Sequence, residues 1–447
     1  MNLLTNGRVI TRDEGGKGYY EKGAVAYEGT KIVEVGEEAA LRAKYPQAEI
    51  IDAKGGVIMP AFINAHTHIY SALARGLSIV GNNPTNFYEV LDGTWWAMDR
   101  KLTLEGSRAS ADALYIDCIK QGVTTIFDHH AAYCEIPGSL FQIGESAKKF
   151  GIRSCLCYEV SDRDGEEKCL QAIKENADWI TYCEQQKDPM LAAMFGGHAL
   201  FTISDKTFDR MVEANNGRTG YHIHVSEGMN DVYDSLQNYG RRPVQRLQDH
   251  GILGEKTILG HCIHVNTAEM DIIRETNTMV VNNPESNMGN AIGICPVLQL
   301  YKRGILLGMG TDAYTNDMLE SLKVALCSQR SQNCLPNVGW CEVTDMLFKN
   351  NAKIGARYFP DQLGVLKAGA AADIIVMDYK PFTPFSDENI DGHMIFGMTG
   401  RQCQTTIAAG KVLMKDRVLV NIDEEAENAH ILEAAKKLWG DLNHRVY

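Results

Sequence analysis

The sequence predicts an α/β protein: a (β/α)8 barrel of the TIM type with a small β-sandwich domain built from both chain ends. Three observations carry this reading. Eight apolar runs of strand length alternate with helix-like patterns between residues 57 and 309. Polar residues recur at the C-terminal ends of those runs, the face on which barrel enzymes build their sites. The segments before and after carry short strand patterns and turn residues, and neither could bury an apolar face alone.

The runs are Val57–Ala65, Thr124–Phe127, Arg153–Tyr158, Leu191–Gly196, Gly220–Val225, Thr257–Leu259, Thr278–Asn282 and Gly304–Met309. Helical patterns fall between or after them at Gly106–Gln121, Gly138–Phe150, Asn266–Glu275 and Met318–Cys327, and Asn266 three residues before Glu269 is an N-cap signal. Alternating strand and helix units imply a parallel sheet. Eight of them over about 250 residues suit a barrel, with a doubly wound open sheet as the alternative. Outside them, Asp13-Glu14-Gly15-Gly16 and Glu28-Gly29 punctuate the first segment. Near the other end, Ala372–Asp378, Thr405–Ala408, the turn Ala409-Gly410-Lys411 and Val412–Met414 repeat the pattern. Pairing both ends into one sandwich divides the chain into 1–56, a barrel over 57–360, and 361–447, the last finishing in a helix over 423–442.

At 45% hydrophobic and 23% charged residues, the composition is that of a globular protein. A formal net charge of −13 argues against a nucleic-acid or anionic-membrane partner. No apolar run reaches the roughly 18 residues of a membrane span, and the first residues lack a charged and then apolar leader pattern. The 12 cysteines form no Cys-x-x-Cys and read as reduced, mostly buried thiols of a cytoplasmic protein.

The ends of the runs carry the chemistry. His66 and His68 close the first, Asp128, His129 and His130 the second, and Glu159 the third. His198 closes the fourth, His222, His224 and Glu227 the fifth, His261 the sixth, Asn282 and Asn283 the seventh, and Asp312 the eighth. On an extended backbone, His66 and His68 point to the same side, which is half of a metal site. Adding His224 and Asp312 gives three imidazoles and a carboxylate, a set suited to Zn2+ and acceptable to Fe2+. An ion with an open position lowers the pKa of a bound water toward about 7. Glu227, three residues beyond His224, is then placed to shuttle protons, and His261 to donate a hydrogen bond where charge develops.

At these residues the chain resembles the amidohydrolase superfamily, in the branch of cytosine deaminase, guanine deaminase and the triazine chlorohydrolases. The matching stretches are His66-Thr67-His68, His224-Val225-Ser226-Glu227, His261-Cys262-Ile263-His264, Asn283-Pro284-Glu285-Ser286-Asn287-Met288, Gly310-Thr311-Asp312 and Gly364–Ile374. Asn64–Gly76 and Phe127–Ala131 are most similar to the SsnA group of aminohydrolases, associated with purine breakdown in anaerobic bacteria. The resemblance implies one divalent metal on His66, His68, His224 and Asp312, with Asp312, Glu227 and His261 catalytic and His261 also touching substrate. Binuclear relatives place a carboxylated lysine at the end of strand four; Met194–Leu200 contains no lysine, so a single ion is expected. His198 matches a histidine that mononuclear relatives use near the substrate.

Trp96 and His129 are further candidates for substrate contact, each open against simple packing, as is His130. Trp95 reads as packing, His222 and His264 as structural, and Arg75 as a local pair or helix cap. Two decoys drop out. Gly308–Ala313 fits GxGxxA, but no acidic residue follows about 20 positions on and Asp312 would repel a pyrophosphate. Deaminases of the P-C-x-x-C type are excluded because the motif is absent. The expected reaction is hydrolysis at an sp² carbon of a purine-type or purine-derived heterocycle, with either an exocyclic amine or a ring nitrogen leaving. A triazine or cyclic-amidine hydrolase is the neighbouring alternative. A catalytically inactive scaffold would be expected to have lost ligands, and here the set is complete. A homodimer is expected.

Overall fold

The computed structural model describes residues 1–447. Two parallel ladders run through its centre. One contains Phe62–Thr67, Val123–Asp128, Arg153–Leu156 and Leu191–Ala193; the other contains Phe195–Ala199, Tyr221–Val225, Ile258–His261, Met279–Asn282 and Leu307–Met309. Each of the eight predicted runs holds one of these strands, the fourth being split at Met194. Strand order follows chain order in both ladders, without the reversal that an open doubly wound sheet requires. The ladders meet at both margins. On one side Val160 bridges Gly197 in parallel; on the other Thr67 bridges Asp312, and the Thr311 and Asp312 amides donate to the His66 carbonyl at 2.9 and 3.0 Å. Buried Asn351 braces this second margin, its Nδ2 donating to the Ile63 and Met309 carbonyls at 2.7 and 2.8 Å.

Helices cover the ladders much as their sequence signals indicate. Asn266 caps Thr267–Glu275 reciprocally: its Oδ1 accepts from the Glu269 amide at 2.9 Å, and Glu269 Oε2 accepts from the Asn266 amide at 3.0 Å. Leu104–Gln121 ends on Gly122 at φ 77°, where a Cβ would also lie 2.9 Å from Ile375, so a side chain is excluded twice over.

The two chain ends pair into one continuous nine-stranded sheet. Its order from one edge is Val418–Leu419, Lys411–Lys415, Cys403–Ala408, Ile374–Met377, Val57–Pro60, Asn2–Ile10, Tyr19–Glu28 and Lys31–Glu37, with Glu49–Asp52 on Asn2–Ile10. The apolar run Val57–Ala65 therefore contains two strands. Val57–Pro60 is held by antiparallel pairing to Ile374–Met377 and parallel pairing to Arg8 and Val9, and the chain passes into the central ladder after Ala61. A periodicity reading cannot see this break, because residues on both sides of it are buried. No helix is long and apolar enough to cross a membrane.

One buried ion pair rivets this sheet to the ladders. Asp373 Oδ2 accepts from Arg153 and from the Thr124 hydroxyl at 3.0 Å, while Oδ1 accepts from the Ala409 amide at 2.7 Å. Arg153 is wholly buried, so removing its partner leaves an uncompensated charge. Asp373→Ala should destabilise the protein by about 3–5 kcal/mol in urea unfolding. Asp378→Ala, at an exposed carboxylate, should stay within about 0.5 kcal/mol of the parent.

Candidate metal centre

The strands deliver the expected residues to one place. Phe62–Thr67 carries His66 and leads to His68, Tyr221–Val225 carries His222 and His224, Ile258–His261 ends on His261, and Asp312 follows Leu307–Met309. The chain leaves these ends through left-handed backbone at residues that are not glycine: Ser226 at φ 48°, His261 at 69°, Cys262 at 48° and Asp312 at 56°. Such conformations cost free energy and persist where the surroundings over-determine them, characteristically at functional sites.

A neutral imidazole has one donor and one acceptor nitrogen, and the hydrogen-bond network assigns which is which. His68 Nδ1 donates to the His129 carbonyl at 2.5 Å and Nε2 lies 3.0 Å from Asp312 Oδ1. The Asp312 and Glu159 carboxylates outweigh burial and push the ring up to about 9, so Nε2 carries a hydrogen that Asp312 accepts, in the place a cation would take. His66 Nδ1 is hydrogen-bonded to His222 Nε2 at 2.8 Å, and His66 Nε2 is buried without a partner. His224 Nε2 is likewise buried and unpartnered. Asp312 Oδ2 accepts the Ser286 hydroxyl. One ligand atom each from His66, His68 and Asp312 lie within 4.8 Å of one another, as do those of His66, His224 and His261. Burial and neighbouring rings push His66 and His224 well below the usual imidazole range, so both are neutral. The buried, unpartnered Nε2 atoms of His66 and His224, next to His68 and the Asp312 carboxylate, fit a divalent cation.

Glu227 stands at the rim of the cleft. Burial and the Asp312 carboxylate push its carboxyl well above the usual range, so it can hold a proton at neutral pH. Its Oε2 is 3.6 Å from His261 Nε2, and Asp312 Oδ2 is 3.8 Å from the same atom. The role expected of His261 changes here. Its Nδ1 donates to Asn287 Oδ1 at 2.8 Å, and Asn287 Nδ2 in turn donates to Asn282 Oδ1 at 3.1 Å. Neutral His261 therefore offers Nε2 as an acceptor rather than as the donor foreseen from sequence.

Trp96 and His198 line the cleft together with Trp95, Glu227 and His224, the two rings meeting edge-on at 5.8 Å. His129 does not reach the cleft. It is fully buried, with Nε2 donating to the Gly197 and His222 carbonyls at 3.1 and 3.0 Å, because its strand points it under His68 and His224. His264 is bonded to the Ile292 carbonyl and Arg75 to Asp117, both local roles. Glu159, noted in the sequence only as a strand end, lies within the cluster: Oε1 is 3.3 Å from His68 Nδ1 and 3.2 Å from His129 Nδ1. Burial favours its neutral form, but His129, His198 and His68 outweigh this and hold it at about 2. Ser286 and Asn287 belong to a quoted motif, yet their partners are visible only in three dimensions.

The profile of the Amidohydrolase family matches residues 57–413. The chain belongs to the amidohydrolase family. A bacterial imidazolonepropionase-like composite domain also matches residues 23–48, within the flanking sheet. This amidohydrolase is 31% identical over 412 residues to a 5'-deoxyadenosine deaminase of Methanobrevibacter smithii, covering 90% of this chain and 91% of that one. It is 31% identical over 420 residues to a 5-methylthioadenosine/S-adenosylhomocysteine deaminase of Thermococcus sibiricus, covering 92% and 93%. Among solved structures, an adenosine deaminase of Xanthomonas campestris with bound zinc superposes with a TM-score of 0.85 at 22% identity over 98% of both chains. A zinc-complexed atrazine chlorohydrolase of Arthrobacter aurescens gives 0.80 at 24% identity over 97% of this chain and 100% of that one. At these identities the structural likeness is one of fold.

If the unpartnered nitrogens hold the ion, purified protein should contain about one zinc or iron per chain by elemental analysis. His68→Ala and His224→Ala should each lose most of it, with a lowered melting temperature. Full occupancy in both variants would sink the assignment.

Proposed function

We propose that this amidohydrolase is a metal-dependent deaminase that releases ammonia from an exocyclic amino group of a purine-type heterocycle. The observation that carries the reading is the gathering of His66, His68, His224 and Asp312 at neighbouring strand ends, with the Nε2 atoms of His66 and His224 buried and unpartnered, beside a carboxyl that can hold a proton, Glu227. Support for the substrate class comes from deaminases acting on 5'-deoxyadenosine and 5-methylthioadenosine, matched over nine tenths of both chains. We also propose that the eight parallel strands close into a barrel through the two bridged margins, with the boundary to the first flank at Ala61 and the second flank over 361–447.

The ion is proposed to be a single Zn2+ on His66, His68, His224 and Asp312; the nitrogen-rich donor set and the zinc in two structures of the same fold support this. Bound there, it supplies the Lewis acidity that makes water nucleophilic at neutral pH. In its ionised form Glu227 takes a proton from the attacking water and hands it to the departing amino nitrogen, which leaves as ammonia; the remaining hydroxyl proton passes to the adjacent ring nitrogen as the carbon becomes a carbonyl. His261 Nε2 accepts a hydrogen bond from the attacking oxygen and aligns it, its ring held by Asn287. Trp96 and His198 bound the ring.

Glu227→Gln keeps shape and metal but removes the proton carrier. Its turnover on a purine-type substrate should fall about 10²–10⁴-fold, the usual contribution of general acid–base catalysis. The check is ammonia release with metal content measured in parallel. Loss of metal, or turnover within a few-fold of the parent when chemistry limits the rate, counts against the role. A product heavier by one water with no ammonia released would replace deamination by ring opening.

A further inference from the structure

The metal centre and proton carrier leave one buried carboxylate without a task. Glu159 is 2% exposed and lines the same cleft as Glu227. Its ionic neighbours are imidazoles alone: His129 Nδ1 sits 3.2 Å from Oε1, and no N–H or O–H in the protein donates to Oε2. His68 Nδ1, 3.3 Å from Oε1, gives its hydrogen to the His129 carbonyl instead. Oε1 is sealed from the cleft, whereas Oε2 lies 3.8 Å from His198 Nε2, and His198 also lines the cleft. That separation is too long for a direct hydrogen bond. The neighbouring ring is fixed too. The Thr202 hydroxyl donates its only hydrogen to the Ala199 carbonyl at 2.8 Å, so it accepts from His198 Nδ1 at 2.9 Å. Neutral His198 therefore turns a lone pair toward the cleft. Two acceptors stand side by side with no donor between them, an arrangement that is unfavourable unless a ligand supplies one.

We propose that Glu159 and His198 form a two-acceptor subsite that reads an N–H edge of the substrate ring. The site then takes heterocycles with a free ring N–H on that edge and rejects the isomer alkylated at that nitrogen. This rests on the hydrolase reading above for the occupant being a nitrogen heterocycle, but the pairing of acceptors with a donor stands on the geometry. An aza nitrogen or an N-methyl group at this edge would face carboxylate and imidazole lone pairs. Sites built to hydrogen-bond a substrate N–H discriminate steeply against analogues lacking it, because the site's own polar groups are left unpaired.

The test uses zinc-loaded full-length protein and calorimetric binding of two series: guanine with its N-methyl isomers, and hydantoin with its N-methyl isomers. In the parent, one N-methyl isomer of a bound ring should bind at least about 100-fold more weakly than the unmethylated ring, a conservative reading of that discrimination. In Glu159→Gln, whose amide can donate as well as accept, the gap should shrink to under about tenfold with zinc retained. If Glu159→Gln loses zinc, Thr202→Val provides the same reading. Freed of its acceptor, His198 can turn an N–H toward the cleft, and the gap should again narrow. An unchanged gap in the metal-retaining variant, or uniform weakening of every ligand, overturns the proposal and assigns Glu159 to holding His68. Discrimination among hydantoins without purine binding leaves the subsite standing and overturns the purine reading; deamination of purines with no N–H preference does the reverse. Binding of neither series overturns both.

Discussion

A buried neutral imidazole has two nitrogens and one hydrogen, and the chemistry at these strand ends depends on where that hydrogen goes. His68 gives its Nδ1 hydrogen to a backbone carbonyl and His261 to Asn287, while His66 Nδ1 is hydrogen-bonded to His222. The acceptors lie outside the cluster, yet they decide that the lone pairs face inward. A metal-ligating ring is ordinarily held this way, its second nitrogen fixing tautomer and orientation. His222 bears on the cluster through its hydrogen bond to His66. The same logic separates the two carboxylates of the cleft. Glu227, beside Asp312, is pushed toward its protonated form, while Glu159, among imidazoles, stays ionised. Two carboxyl groups in one cleft can divide proton transfer and recognition because one faces a carboxylate and the other faces imidazole rings.

Holding so many polar groups in a dry interior requires a rigid frame, since a shift in one strand would unpair several of them. The frame is continuous with the flanking sheet. Val57–Pro60 is knitted into that sheet from both sides, and the same chain runs on to His66 and His68. Asn351 ties the strand carrying these histidines to the strand preceding Asp312. The Arg153–Asp373 pair fixes the sheet against the second and third parallel strands, the third leading to Glu159. Left-handed residues at Ser226, His261, Cys262 and Asp312 are tolerated within this frame.

Much of this was legible in the chain itself. Buried parallel strands read as apolar runs because both their faces are covered, so all eight could be found without neighbours. The His66–His68 spacing follows from the two-residue repeat of a strand, and the Asn266 cap from local hydrogen bonding. What folding decided involves pairings across long stretches of sequence. The break at Ala61 is invisible to periodicity and follows from which sheet each half meets. His129 and His198 end the second and fourth units with the same residue type, yet one is roofed by His68 and His224 and the other opens on the cleft. Asn287 orients a ring 26 positions away, and Glu159 meets His68 across three strands. Sequence determined which chemical groups stand at the strand ends, because local pattern sets where strands stop. Tertiary structure alone decided which lone pairs face one another, because hydrogen-bond direction depends on partners brought together only by the closing of distant segments.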